Sequence, residues 1–314
     1  MLPLFGLLLA AASASPANVT CAAARAFTGT VCVPSSSGKH PAILLLGGSE
    51  GGDSMAQLAK RFAGYGYVAA SVAYFGAPGL PKTLENIPVE TIGTALDGIA
   101  KREDVDPDKI AVLGGSKGGE LALLVASTYP QIHAVVADVP SPFAWEGIAA
   151  GPGAPESSWT IAGKPVPYVP YTSTMGAQFM NAYTMHQPLD LRKGYDAAMM
   201  ENEADIAPAM FPLQNIHGPV LLLAGDDDQI WNSQAQCALA LAYLQQHHHA
   251  YADKYVHYAG AGHMFLFARP GHADTQAALG PMTLLLGGSE QSNVAAANAA
   301  WPLIGEFLQQ ALRT

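Results

Sequence analysis

Lys109-Ile110-Ala111-Val112-Leu113-Gly114-Gly115-Ser116-Lys117-Gly118-Gly119-Glu120-Leu121 is the stretch that decides the fold. The run to Leu113 reads as a buried strand and Glu120 to Tyr129 as a helix, so the Gly-x-Ser-x-Gly pentapeptide falls directly between strand and helix. A serine on so sharp a turn needs a strained backbone. Flanking glycines remove the Cβ atoms that would clash, and the serine Oγ then projects above the strand ends. A nucleotide-binding turn would instead carry G-x-G-x-x-G or a Walker lysine pattern, and neither fits here. Ser116 is therefore the candidate nucleophile.

Outward from this turn, strand and helix signals alternate. Ala42 to Leu46 is a strand ending in Gly47-Gly48, Met55 to Phe62 has helical spacing, and Tyr67 to Val72 is strand-like. A helix follows at about 89–101, a strand at His133 to Ala137, further strands at Pro219 to Leu223 and Tyr255 to Tyr258, and a closing helix near 295–312. This rhythm predicts an α/β protein with a mainly parallel sheet covered by helices on both faces. It lapses between about 141 and 217 into Pro, Gly, Ser and aromatic residues, a length better suited to a cap insertion over a site than to a plain connection. With no internal repeat, residues 15–314 read as one domain carrying that cap.

Two further patterns complete a chemical constellation. Gly225-Asp226-Asp227-Asp228-Gln229-Ile230-Trp231 follows a late strand, where a carboxylate can orient a histidine and stabilise its charged form. Asp228, third beyond the glycine, is the first choice and Asp227 the second; an acidic turn or loose cation site is the bland reading. Gly260-Ala261-Gly262-His263 then presents a histidine after the last strand, giving the order Ser, Asp, His. Of the ten histidines, His263 is singled out by that position, while His247-His248-His249 reads as a solvated helix end.

An oxyanion hole needs two preorganised backbone N–H groups. One is expected from Lys117 and the other from Gly47-Gly48-Ser49-Glu50-Gly51-Gly52, with Ser49 the donor and Glu50 the alternative. The Lys117 side chain puts a cation at a helix start, where the dipole prefers an anion. It is expected either to be solvated or paired with Glu120, or to neutralise an anionic part of a substrate.

Gly115-Ser116-Lys117-Gly118-Gly119-Glu120-Leu121, Leu80-Pro81-Lys82-Thr83-Leu84-Glu85, Ser158-Trp159-Thr160 with Gly163-Lys164-Pro165, and Asp227-Asp228 with Trp231 together resemble one family. It is the catalytic domain shared by acyl-CoA thioesterases and bile acid-CoA:amino acid N-acyltransferase, a relative of dienelactone hydrolase. The resemblance covers roughly residues 28 to 312. It implies an α/β-hydrolase fold and acyl transfer from a small-molecule ester or thioester through a Ser116 acyl-enzyme, with no metal or other cofactor. A hydrolase leads; an acyltransferase passing the acyl group to an amine or alcohol is the alternative, and a non-catalytic ligand-binding homologue the remote one. Serine at position 116 favours water as acceptor, since the acyltransferase relatives use cysteine there. The resemblance does not extend to the large N-terminal β-sandwich domain of the animal members, and an exported chain would meet little acyl-CoA, so acyl-CoA is expected to be one candidate among esters.

Composition narrows the partners. Half of the 314 residues are hydrophobic and 13% charged, enough for a sizeable core. The net charge of −10 and the scattered 15 Lys+Arg leave no basic footprint for nucleic acid. The apolar run from Leu2 to Ala12 is too short to span a bilayer, and with Ala12-Ser13-Ala14 it reads as a signal peptide over residues 1–14, although no Lys or Arg precedes Arg25. Export to a periplasmic or extracellular space is expected, or a cytoplasmic location if that segment is not cleaved. In an exported chain a turn at Thr28-Gly29-Thr30 would bring Cys21 and Cys32 together, with Cys237 left single; two buried thiols that never pair are the other reading.

Overall fold

Near-continuous apolar runs along the central strands give this sheet two buried faces, which helices on both sides cover. The computed structural model describes residues 19–149, 154–272 and 274–313. Its main sheet contains β1 (Val19–Ala23), β2 (Gly29–Pro34), β3 (His40–Leu46), β4 (Val68–Val72), β5 (Val105–Gly115), β6 (Ala134–Asp138), β7 (Val220–Gly225) and β8 (Lys254–Tyr258). In space the order is β1-β2-β4-β3-β5-β6-β7-β8. β1 and β2 pair antiparallel, as do β2 and β4, and every other neighbouring pair is parallel.

Helices α1 (Ala56–Gly64), α2 (Glu90–Ala100), α3 (Lys117–Thr128), α7 (Ser233–Gln246) and α8 (Glu290–Ala311) cover this sheet, while α4 (Ser173–Met185), α5 (Leu191–Glu201) and α6 (Glu203–Ala209) arise between β6 and β7. Ile43, Leu45, Leu113 and Val136 face α1 and α8; Leu44, Leu46, Val112 and Val135 face α2, α3 and α7. A third apolar cluster joins Phe143, Trp145, Met175, Tyr195 and Trp231, packing the segment between β6 and β7 onto the strand ends. Leu84, in the Leu-Pro-Lys-Thr-Leu-Glu stretch, bridges Ile148 of that segment.

The strand and helix positions expected from the sequence agree with these elements to within a few residues. Sequence periodicity did not reveal α4 to α6, nor the ribbon formed by Gln276–Leu279 and Met282–Leu285. The hairpin joining β1 and β2 turns at residues 24–28 rather than 28–30, because Gly29 already pairs with Val72. Its register places Cys21 opposite Cys32, and the two are disulfide-bonded. Cys237 is a buried free thiol. The segment expected as a signal peptide lies outside the described residues, as do 150–153 of the Gly-Pro-rich stretch. No helix among the described residues is long and apolar enough to cross a membrane.

The histidine run needs a correction at its last member. His247 and His248 are exposed, but the His249 side chain is 2% exposed. Nδ1 lies 2.7 Å from Asp253 Oδ2 and Nε2 lies 2.8 Å from the Ile216 carbonyl oxygen. Both partners are acceptors, so both are satisfied only by imidazolium. Burial alone would lower its pKa, but the two hydrogen bonds and the Asp253 charge outweigh it and hold the pKa above the ordinary value. A raised folded-state pKa gives stability that is present below the unfolded value of about 6.5 and is lost as pH rises through the folded one. In thermal melts, His249→Asn is expected to lie several degrees below wild type at pH 6 and to close that gap on moving to alkaline pH. A gap that stays constant with pH would refute the charged state.

Candidate active site

The parallel strands end in register, Leu46 beside Gly114, Gly115 beside Asp138, Asp138 beside Leu223 and Gly225 beside Tyr258. The loops that follow them therefore emerge along one edge of the sheet, where α/β folds place their chemistry. Ser116 stands between β5 and α3 with φ 56° and ψ −124°, a strained conformation held by its surroundings. Its N–H donates to the Asp138 carbonyl at 2.9 Å. The glycines on either side are required sterically: a Cβ at Gly114 would overlap the Gly118 carbonyl, and one at Gly118 would overlap the carbonyls of Leu46 and Gly47.

His263 Nε2 is 2.8 Å from Ser116 Oγ, and His263 Nδ1 is 3.0 and 2.9 Å from the two carboxylate oxygens of Asp228. With Nδ1 protonated toward Asp228, Nε2 is left as the acceptor for the serine proton. Asp228 is fully buried, and Oδ1 also accepts the N–H groups of Ile230 at 2.9 Å and Trp231 at 3.3 Å. Its neighbours do other work. Asp227 accepts from Gln229 Nε2 at 2.8 Å and from Gly288 N at 2.9 Å, bracing the loop past the ribbon. Asp226 pairs with His257 at 2.8 Å. The geometry thus brings Asp228, and not Asp227, to the histidine.

Rings back the imidazole. Trp231 lies edge-on to His263 with centroids 5.7 Å apart, Tyr195 edge-on to Trp231 at 5.4 Å, and Trp145 edge-on to Tyr195 at 4.8 Å. Trp231 Nε1 also donates to the Val139 carbonyl at 3.0 Å.

On the other side of Ser116, the loop after β3 is pinned by Tyr74, whose hydroxyl donates to the Gly47 carbonyl at 2.6 Å. Ser49 and Glu50 are exposed on that loop. Gly48 lies close to the nucleophile, since a Cβ there would sit 3.4 Å from that of Ser116. Its N–H donates to Glu50 Oε1 at 3.0 Å, so the Glu50 carboxylate folds back over the turn. The N–H of Lys117 belongs to the first turn of α3, where helix donors have no intrahelical partner.

The Lys117 side chain is where the sharper sequence expectation fails. It is 1% exposed, and Nζ reaches Glu120 Oε1 at 2.7 Å, Glu120 Oε2 at 2.8 Å and Ser158 Oγ at 2.8 Å. An ammonium has three protons, and all three are used. It is not free to meet an anionic substrate. Burial draws the Lys117 pKa down and pushes the Glu120 pKa up, while their mutual attraction opposes both shifts. Glu120 Oε1 also accepts from Trp159 Nε1 at 2.6 Å and from Trp145 N at 3.3 Å.

Sequence reasoning missed Asp138. It ends β6 beside the elbow, is buried, and its Oδ1 has no hydrogen-bond partner among the described residues. Burial, and then the Asp228 charge, push its pKa well above the ordinary 3.8. A carboxyl whose pKa is raised by folding favours the native state below the unfolded value and loses that advantage as pH rises toward the folded one. Asp138→Asn is therefore expected to raise Tm at pH 8 relative to wild type, with the difference shrinking toward pH 4. An unchanged or lowered Tm at pH 8 would show that the carboxylate has a partner there. Among the described residues no group of three His, Cys, Asp or Glu side chains is placed to hold a metal ion.

The strand order, the serine elbow and the loop histidine define an α/β-hydrolase. More narrowly, residues 87–314 match the family model for the BAAT / acyl-CoA thioester hydrolase C-terminal domain, and the chain belongs to that family. It is 27% identical over 288 residues to human acyl-coenzyme A thioesterase 6, covering 89% of this chain and 62% of that protein. It is 22% identical over 286 residues to mouse acyl-coenzyme A amino acid N-acyltransferase 1, covering 90% of this chain and 63% of that one. The chain thus spans about three-fifths of the length of these relatives. The fold is shared with a putative dienelactone hydrolase from Klebsiella pneumoniae, at a TM-score of 0.55 and 16% identity, covering 93% of this chain and 99% of that one.

Proposed function

We propose that this protein hydrolyses carboxyl esters or thioesters through an acyl-enzyme on Ser116. The observation that carries the proposal is the hydrogen-bonded line from buried Asp228 through buried His263 to half-buried Ser116 on a strained elbow. His263 Nε2 takes the serine proton as Oγ attacks the acyl carbonyl carbon, and Asp228 stabilises the imidazolium that forms. The oxyanion is met by the Lys117 N–H and by a second N–H from the loop after β3, for which Ser49 is our assignment and Glu50 the alternative. Collapse breaks the bond to the alcohol or thiol, which leaves with the proton from His263. Water, deprotonated by His263, then attacks the acyl carbon; the Ser116 Oγ–acyl bond breaks, Oγ takes the proton back from His263, and the carboxylic acid leaves.

The names of the relatives divide between thioesterase and N-acyltransferase, so transfer to an amine is the second reading. A panel of p-nitrophenyl esters and acyl-CoA esters, run with and without glycine as acceptor, separates the two. Release of free acid in both conditions supports hydrolysis, acyl-glycine as main product supports transfer, and no turnover of any member overturns both.

We further propose export. The Cys21–Cys32 pairing supports it, because such bonds persist in oxidising compartments. Intact mass of native protein is expected to show a chain starting near Ser15 with a single alkylatable thiol. An unprocessed chain with three would place the enzyme in the cytoplasm.

A further inference from the structure

Ser116-Lys117-Gly118-Gly119-Glu120 is distinctive in the sequence, yet the triad and the oxyanion hole use only its serine and one backbone N–H. Lys117 and Glu120 lie three residues apart on the first turn of α3, where side chains at that spacing meet. Both are buried, a placement that is costly for ions unless every donor and acceptor is matched. Here they are matched, and the partners come from one direction. Ser158 Oγ accepts from Lys117 and donates to the Trp145 carbonyl at 2.8 Å, while Trp145 N and Trp159 Nε1 donate to Glu120. All of these lie in the segment between β6 and β7. Trp145 is also the first ring of the series that ends on His263.

We propose that the Lys117–Glu120 pair is a positioning clamp, which fixes Trp145 and Trp159 to the elbow helix and, through Trp145, Tyr195 and Trp231, sets the His263 ring against Ser116. This rests on the hydrolase reading above and deepens it. The clamp touches neither substrate nor reacting atoms; it acts on the distance between nucleophile and base, so its loss reads in kcat rather than in KM. A pair that served only to balance charge could be replaced by any neutral combination, since apolar substitutes for buried ion pairs often leave stability unchanged or raised. A clamp cannot, because the acceptor at position 120 is what holds the two tryptophans.

Two charge-neutral double variants separate these roles. Lys117→Met/Glu120→Gln keeps an amide oxygen facing Trp145 N and Trp159 Nε1, and Lys117→Met/Glu120→Leu does not. Each is assayed for kcat and KM on p-nitrophenyl acetate, for the rate of labelling by a fluorophosphonate, and for Tm. Both doubles share the Lys117 change and keep its backbone N–H, so they are read against each other, and the Gln variant is expected to exceed the Leu variant by about tenfold or more in kcat. The Leu variant is expected to lose about tenfold or more in kcat and in labelling rate, with KM changed less than about threefold. Equal kcat in the two folded doubles would overturn the clamp. If the Leu double does not fold, Trp159→Phe removes a single hydrogen bond to Glu120 and carries the test instead: a fall of about threefold in kcat at unchanged KM supports the clamp, and wild-type kcat overturns it. Labelling of the wild type reports on the hydrolase reading itself. An unlabelled wild type ends that reading and the clamp with it, whereas a labelled wild type with equal doubles ends the clamp alone.

Discussion

Ser116→Ala is expected to lower kcat by about 10⁴-fold or more while leaving the fold in place. The size of the loss follows from covalency: without Oγ no acyl-enzyme forms, and what remains is the rate that the oxyanion donors and substrate binding give to direct attack by water. The fold should persist because the elbow's shape is carried by its surroundings. Gly114 and Gly118 let β5, α3 and the loop after β3 approach one another, and Ser116 N is held by the Asp138 carbonyl whatever the side chain. Alanine has the same Cβ as serine, so the strain at φ 56° is unchanged. A fluorophosphonate is expected to label the wild type on Ser116 and not to label the variant. A labelled peptide mapping elsewhere, or a folded alanine variant with more than about a hundredth of wild-type kcat, would remove Ser116 from the mechanism.

Asp228→Asn carries the second-largest expected loss, again near 10⁴-fold in kcat, with His263→Ala in the same range. An amide at 228 can still accept from Ile230 N and Trp231 N, so the loop keeps its shape. It cannot stabilise imidazolium, and turned with its NH₂ toward His263 it favours the tautomer whose Nε2 carries the proton and cannot accept one from serine. Asp227→Asn is the control in the same loop. Its carboxylate holds Gln229 and Gly288 and does not meet the histidine, so its kcat is expected within about tenfold of wild type. If Asp227→Asn proves the more damaging of the two, the assignment within the acidic loop is overturned.

The parts of this molecule that were legible in its sequence are those in which local chemistry and global fold demand the same residues. Gly114-Gly115-Ser116-Lys117-Gly118 is such a place, because a sharp strand-to-helix turn admits few alternatives to glycine. Asp228 and His263 were readable from their position after late strands. The helices α4 to α6 were not, since hydrophobic periodicity reports a helix that buries a stripe, and α4 buries only Met175 and Ala182. Lys117 could not be resolved between solvent, Glu120 and substrate from spacing alone. The deciding partner, Ser158, is 41 residues away in sequence. Asp138 gave no signal either, because the terminal aspartate of an apolar strand is usually solvated, and here it is buried beside the elbow and near the Asp228 charge. His249 was misread for a related reason: two exposed histidines precede it, and although Asp253 is only four residues on, the Ile216 carbonyl that takes its other ring nitrogen is 33 residues back.

The disulfide has a consequence for how molecules of this protein meet one another. Among the described residues β1 is the outermost strand of the sheet, and four of its five residues are exposed. Such a strand offers unpaired backbone donors and acceptors to any passing chain, and proteins blunt such edges or suffer edge-to-edge association. The bond from Cys21 to Cys32 ties the midpoint of β1 to β2, so the strand cannot peel away and uncover β2, whose Val31 and Cys32 lie buried behind it. Reduction would leave β1 held by its ladder hydrogen bonds and the packing of Val19, at the margin of the sheet. Frayed edges of the reduced protein can then find each other, and light scattering is expected to rise in step with thiol content.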